Sequence, residues 1–159
     1  MKPLRRNFPG VISSLFFILL ISSCTTVDLY EKSVSIPGHA WKSDYKPVFE
    51  FTIKDTTTPY QVYLVLRHTD RYSFNNIYVN LYIKGPGQDT ATKIQQDLKL
   101  ASNEEGWLGS GMDDIYEQRH PLGNPITLKA GTYQFTVEHL MREDPLENVL
   151  NVGLRVEKK

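Results

Sequence analysis

From Pro47 onward the chain alternates apolar and polar residues at every second position, and this pattern narrows the possible folds more than any other feature. A period of two puts successive side chains on opposite faces of an extended strand. In "VFEFTIK" the residues Phe49, Phe51 and Ile53 would face a core, with Glu50, Thr52 and Lys54 opposite. The same alternation turns Val62, Leu64 and Leu66 inward in "QVYLVLR", and Ile77, Val79, Leu81 and Ile83 inward in "IYVNLYIK". "IQQDLKL" is more polar and offers Ile94, Gln96, Leu98 and Leu100. Near the end, "TYQFTVEHL" supplies Tyr133, Phe135 and Val137, and "LNVGLRVE" supplies Leu150, Val152, Leu154 and Val156.

Turn-forming residues separate these segments. "KDTTTPY", "HTDRYSFNN", "KGPGQDT", "NEEGWLGSG", "HPLGNP" and "KAG" are rich in Gly, Pro, Asn, Asp, Ser and Thr. Two shorter candidates, "DIYEQ" at 114–118 and "PITL" at 125–128, bring the count to about eight strands. The expectation is an all-β fold: a single antiparallel β-sandwich, jelly-roll-like, over residues 47–159. "LMREDPLENVL" leaves room for a short helix before Pro145. A transmembrane barrel would need an apolar outer face, whereas the second face here carries Glu50, Lys54, Arg67, Lys84, Asp97, Lys99, Glu138 and Arg155.

The amino-terminal segment obeys different rules. Lys2, Arg5 and Arg6 precede the uncharged stretch "VISSLFFILLI" at 11–21, which is too short for a permanent membrane helix and suits a signal peptide. "ISSC" at 21–24 then resembles the lipobox of bacterial lipoproteins. The expected outcome is cleavage between Ser23 and Cys24 and a diacylglycerol/acyl lipid carried covalently on Cys24. Residues 1–23 are read as the signal peptide and 24–46 as a lipidated tether that becomes the first edge segment. Cys24 is the only cysteine, so no intramolecular disulfide is possible. The mature chain has 15 Lys and Arg against 18 Asp and Glu. That balance argues against nucleic acid as a partner, and against attraction to an anionic lipid face. Thr25 and Thr26 lack the Asp associated with inner-membrane retention, so the expected location is the outer membrane, on its periplasm-facing leaflet.

No catalytic constellation stands out. His39, His68, His120 and His139 are too far apart in sequence for a zinc motif and read as loop or surface residues. There is no G-x-S-x-G elbow, and "GWLGSG" lacks the Lys-Ser/Thr of a phosphate loop, so its glycines are assigned to a bend beside Trp107. No metal site is expected. Asp113, Asp114 and Glu117 are the weak calcium candidates, and a solvated loop explains them equally well. Trp41, Trp107, Tyr78 and Tyr82 are candidates for an interaction patch, and with Tyr63 for a sugar-stacking platform. Cross-strand pairing is the plainer account of these aromatics. A hydrolase with an unrecognised carboxylate pair is a further alternative.

Four segments taken together resemble the gliding-motility lipoproteins called GldH, of Bacteroidetes: "YEKSVSIPGHAW", "PVFEFTIKDTTTPYQVYLVLRHTDRYSFNNIYV", "EGWLGSGMDDIYE" and "AGTYQFTVEHLMREDPLENVLNVGLRVEK". The resemblance implies a non-enzymatic outer-membrane lipoprotein without cofactor beyond its lipid. Its partners would be other envelope proteins, linked to gliding and type IX secretion. The alternative is a carbohydrate-binding lipoprotein module of a glycan-uptake system.

Overall fold

The computed structural model describes residues 29–159. Leu29–Ser35 (β1) leads through a 3-10 turn, Pro37–His39, to the two-residue strand Ala40–Trp41 (β2). Val48–Ile53 (β3), Pro59–Thr69 (β4), Asn76–Lys84 (β5) and Thr92–Lys99 (β6) follow. Three short pieces come next: Ala101–Ser102 (β7), Gly106–Trp107 (β8) and Ser110–Met112 (β9). Ile115–Pro121 (β10), Ile126–Thr127 (β11), Gly131–His139 (β12), Leu146–Glu147 (β13) and Val149–Lys158 (β14) complete the chain.

One main sheet has the order β1-β14-β4-β10-β9, with β11 also beside β4; the other runs β3-β12-β5-β6. All their pairings are antiparallel. Among the described residues, eight strands have six residues or more. Ranked along the chain, these eight lie in the orders 1-8-3-6 and 2-7-4-5. Only the β5–β6 link stays within a sheet, and every other one crosses the sandwich. This is the double Greek-key wrap of a jelly roll, and the all-β sandwich expected from the alternation is the fold observed.

The inward positions are those the alternation picks out. Phe49, Phe51 and Ile53 of β3 pack in one core with Leu64 and Leu66 of β4, Ile77, Val79 and Leu81 of β5, and Val152, Leu154 and Val156 of β14. Burial of such side chains at roughly 1.5–3 kcal/mol each is the main force holding the sheets together. Tyr30 of β1 meets Phe51 of β3 with ring centroids 5.4 Å apart, which closes that edge of the sandwich. Ile94 keeps the inward register, opposite Leu81, but is 39 % exposed because β6 is an edge strand. The segment 140–148 contains no helix. It bends back so that Leu146 pairs with Trp41.

Strand β4 is buried on both faces. Its outward residues Gln61 and Val65 are buried: Gln61 donates its amide to the Val62 and Gly123 carbonyls, and Val65 stands between Gly153 of β14 and Arg119 of β10. Glu31 pairs with Arg155 and Arg119, Arg119 with Glu117, and Arg155 with Glu157. As ion pairs at a surface these contribute little each, but their methylene stems cover apolar area.

The wrap gathers the connections at two ends. Residues 54–58, 85–91 and 122–130 lie at one end together with Leu29 and Lys159. Residues 36–47, 70–75, 100–114 and 140–148 lie at the other.

Candidate functional site

The sequence-derived candidates do not converge on one place. Cys24 and the Ser23–Cys24 cleavage point lie outside the described residues. Trp41 is completely buried, its indole Nε1 donating to the Tyr45 carbonyl at 2.8 Å and its ring edge-on to His139 at 5.1 Å. Trp107 is half-buried, with its centroid 4.6 Å from that of His68. An exposed patch of Trp41, Trp107, Tyr78 and Tyr82 therefore does not exist, since both tryptophans pack into the interior.

Tyr78 and Tyr82 do share a surface, the outer face of the β3-β12-β5-β6 sheet, because they are four residues apart on β5. Tyr82 donates its hydroxyl to Glu138 Oε2 at 2.7 Å. Asn80 Nδ2 donates to the same oxygen at 3.0 Å, and Lys46 Nζ lies 2.6 Å from Oε1. These contacts, led by the Asn80 hydrogen bond, hold the Glu138 carboxyl at about 2. Tyr82 is thus fixed as part of a polar cluster. Tyr78 stays 40 % exposed beside Leu140 and Met141, on a shallow cleft of about 300 Å³ at the far end from Leu29.

The histidines are mostly interior, contrary to the surface reading. His39 is exposed, but His68 and His139 are buried and His120 is half-buried. His68 continues the inward register of Val62, Leu64 and Leu66, as His139 continues that of Phe135 and Val137. The His68 tautomer follows from its partners: Nδ1 lies 2.8 Å from the Thr69 carbonyl and must donate to it. Gln118 Nε2 donates to the Leu100 carbonyl at 2.8 Å and to His68 Nε2 at 3.1 Å, so the ring is neutral. Burial lowers the pKa of His68, of His120, whose neighbour His68 adds to the effect, and of His139. Tyr72, Trp107 and Tyr116 close around His68. Its ring has no exposed surface to offer a substrate.

The calcium candidates also separate. Glu117 lies on the outer face of β10, 2.9 Å from Arg119 and 3.8 Å from Arg67. Its strand direction carries it away from the turn at Asp113 and Asp114. Among the described residues no three His, Cys, Asp or Glu side chains are grouped to hold a metal ion. The glycines of "GWLGSG" do serve a bend: Gly106 and Gly109 take left-handed φ values of 71° and 85°.

One feature had no counterpart in the sequence reading. An apolar cleft of about 320 Å³ opens between the sheets at the Leu29 end, lined in part by Val62, Leu81, Ile83, Leu122, Leu128 and Phe135, with Ile94 and Ile126 also at its wall. Ile126 is 56 % exposed. It falls in the short strand candidate "PITL", observed as β11, and only the path of 122–130 back past β4 reveals the cleft.

The model of the family described as GldH lipoprotein matches residues 28–156. A protein named gliding motility lipoprotein GldH homolog, from Christiangramia forsetii, is 28% identical, over 96% of this chain and 98% of its own length. Gliding motility lipoprotein GldH of Flavobacterium johnsoniae is 26% identical, over 91% of this chain and 94% of its own. Among solved structures, the VP2 subviral particle of infectious bursal disease virus aligns with a TM-score of 0.36 at 16% identity, over 80% of this chain and 31% of that one. Dimeric latent PorU from Porphyromonas gingivalis aligns with a TM-score of 0.35 at 10% identity, over 87% of this chain and 14% of that one.

Proposed function

Because the chain belongs to the GldH lipoprotein family, we propose that it is a non-enzymatic accessory protein, held on the periplasmic leaflet of the outer membrane by lipid on Cys24. It works by contact with other envelope proteins, those of gliding and type IX secretion among them. The observation that carries this reading is the family match over almost the whole domain, directly behind the lipobox at 21–24. The contact surface we favour is the far-end patch of Tyr78, Leu140 and Met141, which is apolar and accessible and lies at the opposite end from the tether. Glycan binding receives less support, since both tryptophans of the supposed platform are turned inward.

Metabolic labelling with a fatty-acid probe tests the anchor. The wild-type chain should label and fractionate with outer membrane, and Cys24→Ala should do neither. Full labelling of the variant would overturn the assignment of Cys24. Crosslinking and purification of the lipidated protein from native membranes tests the contacts: envelope proteins should be recovered with wild type and reduced with Tyr78→Ala.

A further inference from the structure

Charge is unevenly distributed along the sandwich. The end that holds Leu29 carries Lys54, Lys84, Lys93, Lys129, Lys158 and Lys159 against Glu50, Asp55, Asp89 and Glu157, with Asp28 one residue before Leu29 in sequence. The far-end segments 42–46, 70–71, 99–114 and 142–147 hold nine acidic residues against five basic ones. The small net negative charge of the chain conceals this polarity. Leu29, Ile94 and Ile126 are also 50 %, 39 % and 56 % exposed, and Ile94 and Ile126 line the apolar cleft at this end. Exposed aliphatic side chains within a set of lysines are the composition of a surface that meets lipid headgroups.

The chain emerges at this same end. Leu29 pairs with Glu157 at the start of β1, and only residues 24–28 separate it from Cys24. Five residues reach at most about 18 Å when fully extended. An anionic headgroup layer would then lie within roughly two screening lengths of the basic end at physiological salt, where the Debye length is about 8 Å. The acidic end would point away from it.

We infer that the Leu29 end of the sandwich is a membrane-contact face, which docks against an anionic phospholipid surface through its lysines and inserts Ile126 at headgroup depth. This rests on the lipid-anchor reading of Cys24 and adds to it a fixed orientation. The domain stands on the bilayer by a defined end, with Tyr78, Leu140 and Met141 presented to the periplasm.

The test uses the full lipidated protein, with an environment-sensitive fluorophore at Ile126→Cys or at Met112→Cys of the far end. Each is reconstituted in vesicles of phosphatidylethanolamine and phosphatidylglycerol that contain a nitroxide lipid labelled near the headgroup. Quenching should be several-fold stronger at 126 than at 112, and should fall with high salt and with Lys84→Glu/Lys129→Glu. Hydrogen exchange of the unmodified sequence should show residues 122–130 protected on vesicles. Equal quenching at both positions, in protein that floats with the vesicles, would overturn the docked orientation and leave the anchor intact. Quenching at 126 that is unchanged in phosphatidylcholine alone would overturn the electrostatic basis. Protein that fails to float would overturn the anchor, and this inference with it.

Discussion

Gln118 Nε2 donates both to His68 Nε2, at 3.1 Å, and to the Leu100 carbonyl, at 2.8 Å. One side-chain amide of β10 thus satisfies a ring on β4 and the backbone just after β6, inside the protein. Gln118→Ala would leave His68 Nε2 without a donor, while the Leu100 carbonyl would keep the Leu108 N–H at 2.8 Å. The expected loss of stability is about 1–3 kcal/mol, measured by urea unfolding, and an unchanged midpoint would mean that water replaces the amide without cost.

Acid should destabilise the domain in two stages. His68, His120 and His139 have folded pKa values below the ordinary 6.5. The unfolded chain takes up protons first, so their contribution is full above 6.5 and drains as pH falls below it. Glu138 and Glu157 are held at about 2 against 4.5, so theirs is full above 4.5 and is lost between 4.5 and about 2. Unfolding midpoints followed from about pH 8 to about pH 3 should fall in both windows. His139→Phe, which replaces a buried ring edge-on to Trp41 with a non-titrating one, should reduce the first drop.

Two glycines at positive φ should respond differently to alanine. A Cβ on Gly109 would lie 2.4 Å from the Glu117 carbonyl oxygen, whereas one on Gly123 meets nothing within 4 Å. Gly109→Ala should cost about 2–4 kcal/mol and Gly123→Ala about 1–2 kcal/mol. Thermal unfolding ranks the two, and the reverse order would contradict the packing of the 106–111 bend against β10.

Trp41 and Tyr78 separate structure from surface. Trp41→Ala should cost about 3–5 kcal/mol through the cavity it leaves. Tyr78→Ala should stay within about 0.5 kcal/mol while reducing recovery of crosslinked partners. A folded, stable Trp41→Ala protein would return that residue to the list of contact candidates.

The strands were legible because each buries one face, and Phe49, Phe51 and Ile53 show it in six residues. Burial on the second face of β4 was not, since Val65 is flanked by Arg119 of β10 and Gly153 of β14, which are distant in sequence. The histidines carried a signal that residue type obscured: His68 and His139 occupy the next inward positions after Leu66 and Val137. Trp41 lies in a stretch without periodicity, and its burial depends on Leu146 returning more than a hundred residues later. The cleft at Ile126 and the charge polarity both follow from topology, which decides which loops share an end. No local pattern encodes that.

The pairing of β1 with β14 also has a mechanical meaning. Seven rungs, from Leu29↔Glu157 to Ser35↔Asn151, join the strand next to the tether to the last strand of the domain. If the domain is gripped at its acidic end while lipid holds Cys24, tension enters β1 along its own axis. The rungs are then sheared together, where a sideways pull would peel them one by one. With lipid on Cys24, as proposed, a first strand paired along its whole length with the last one would share such a load among all seven rungs.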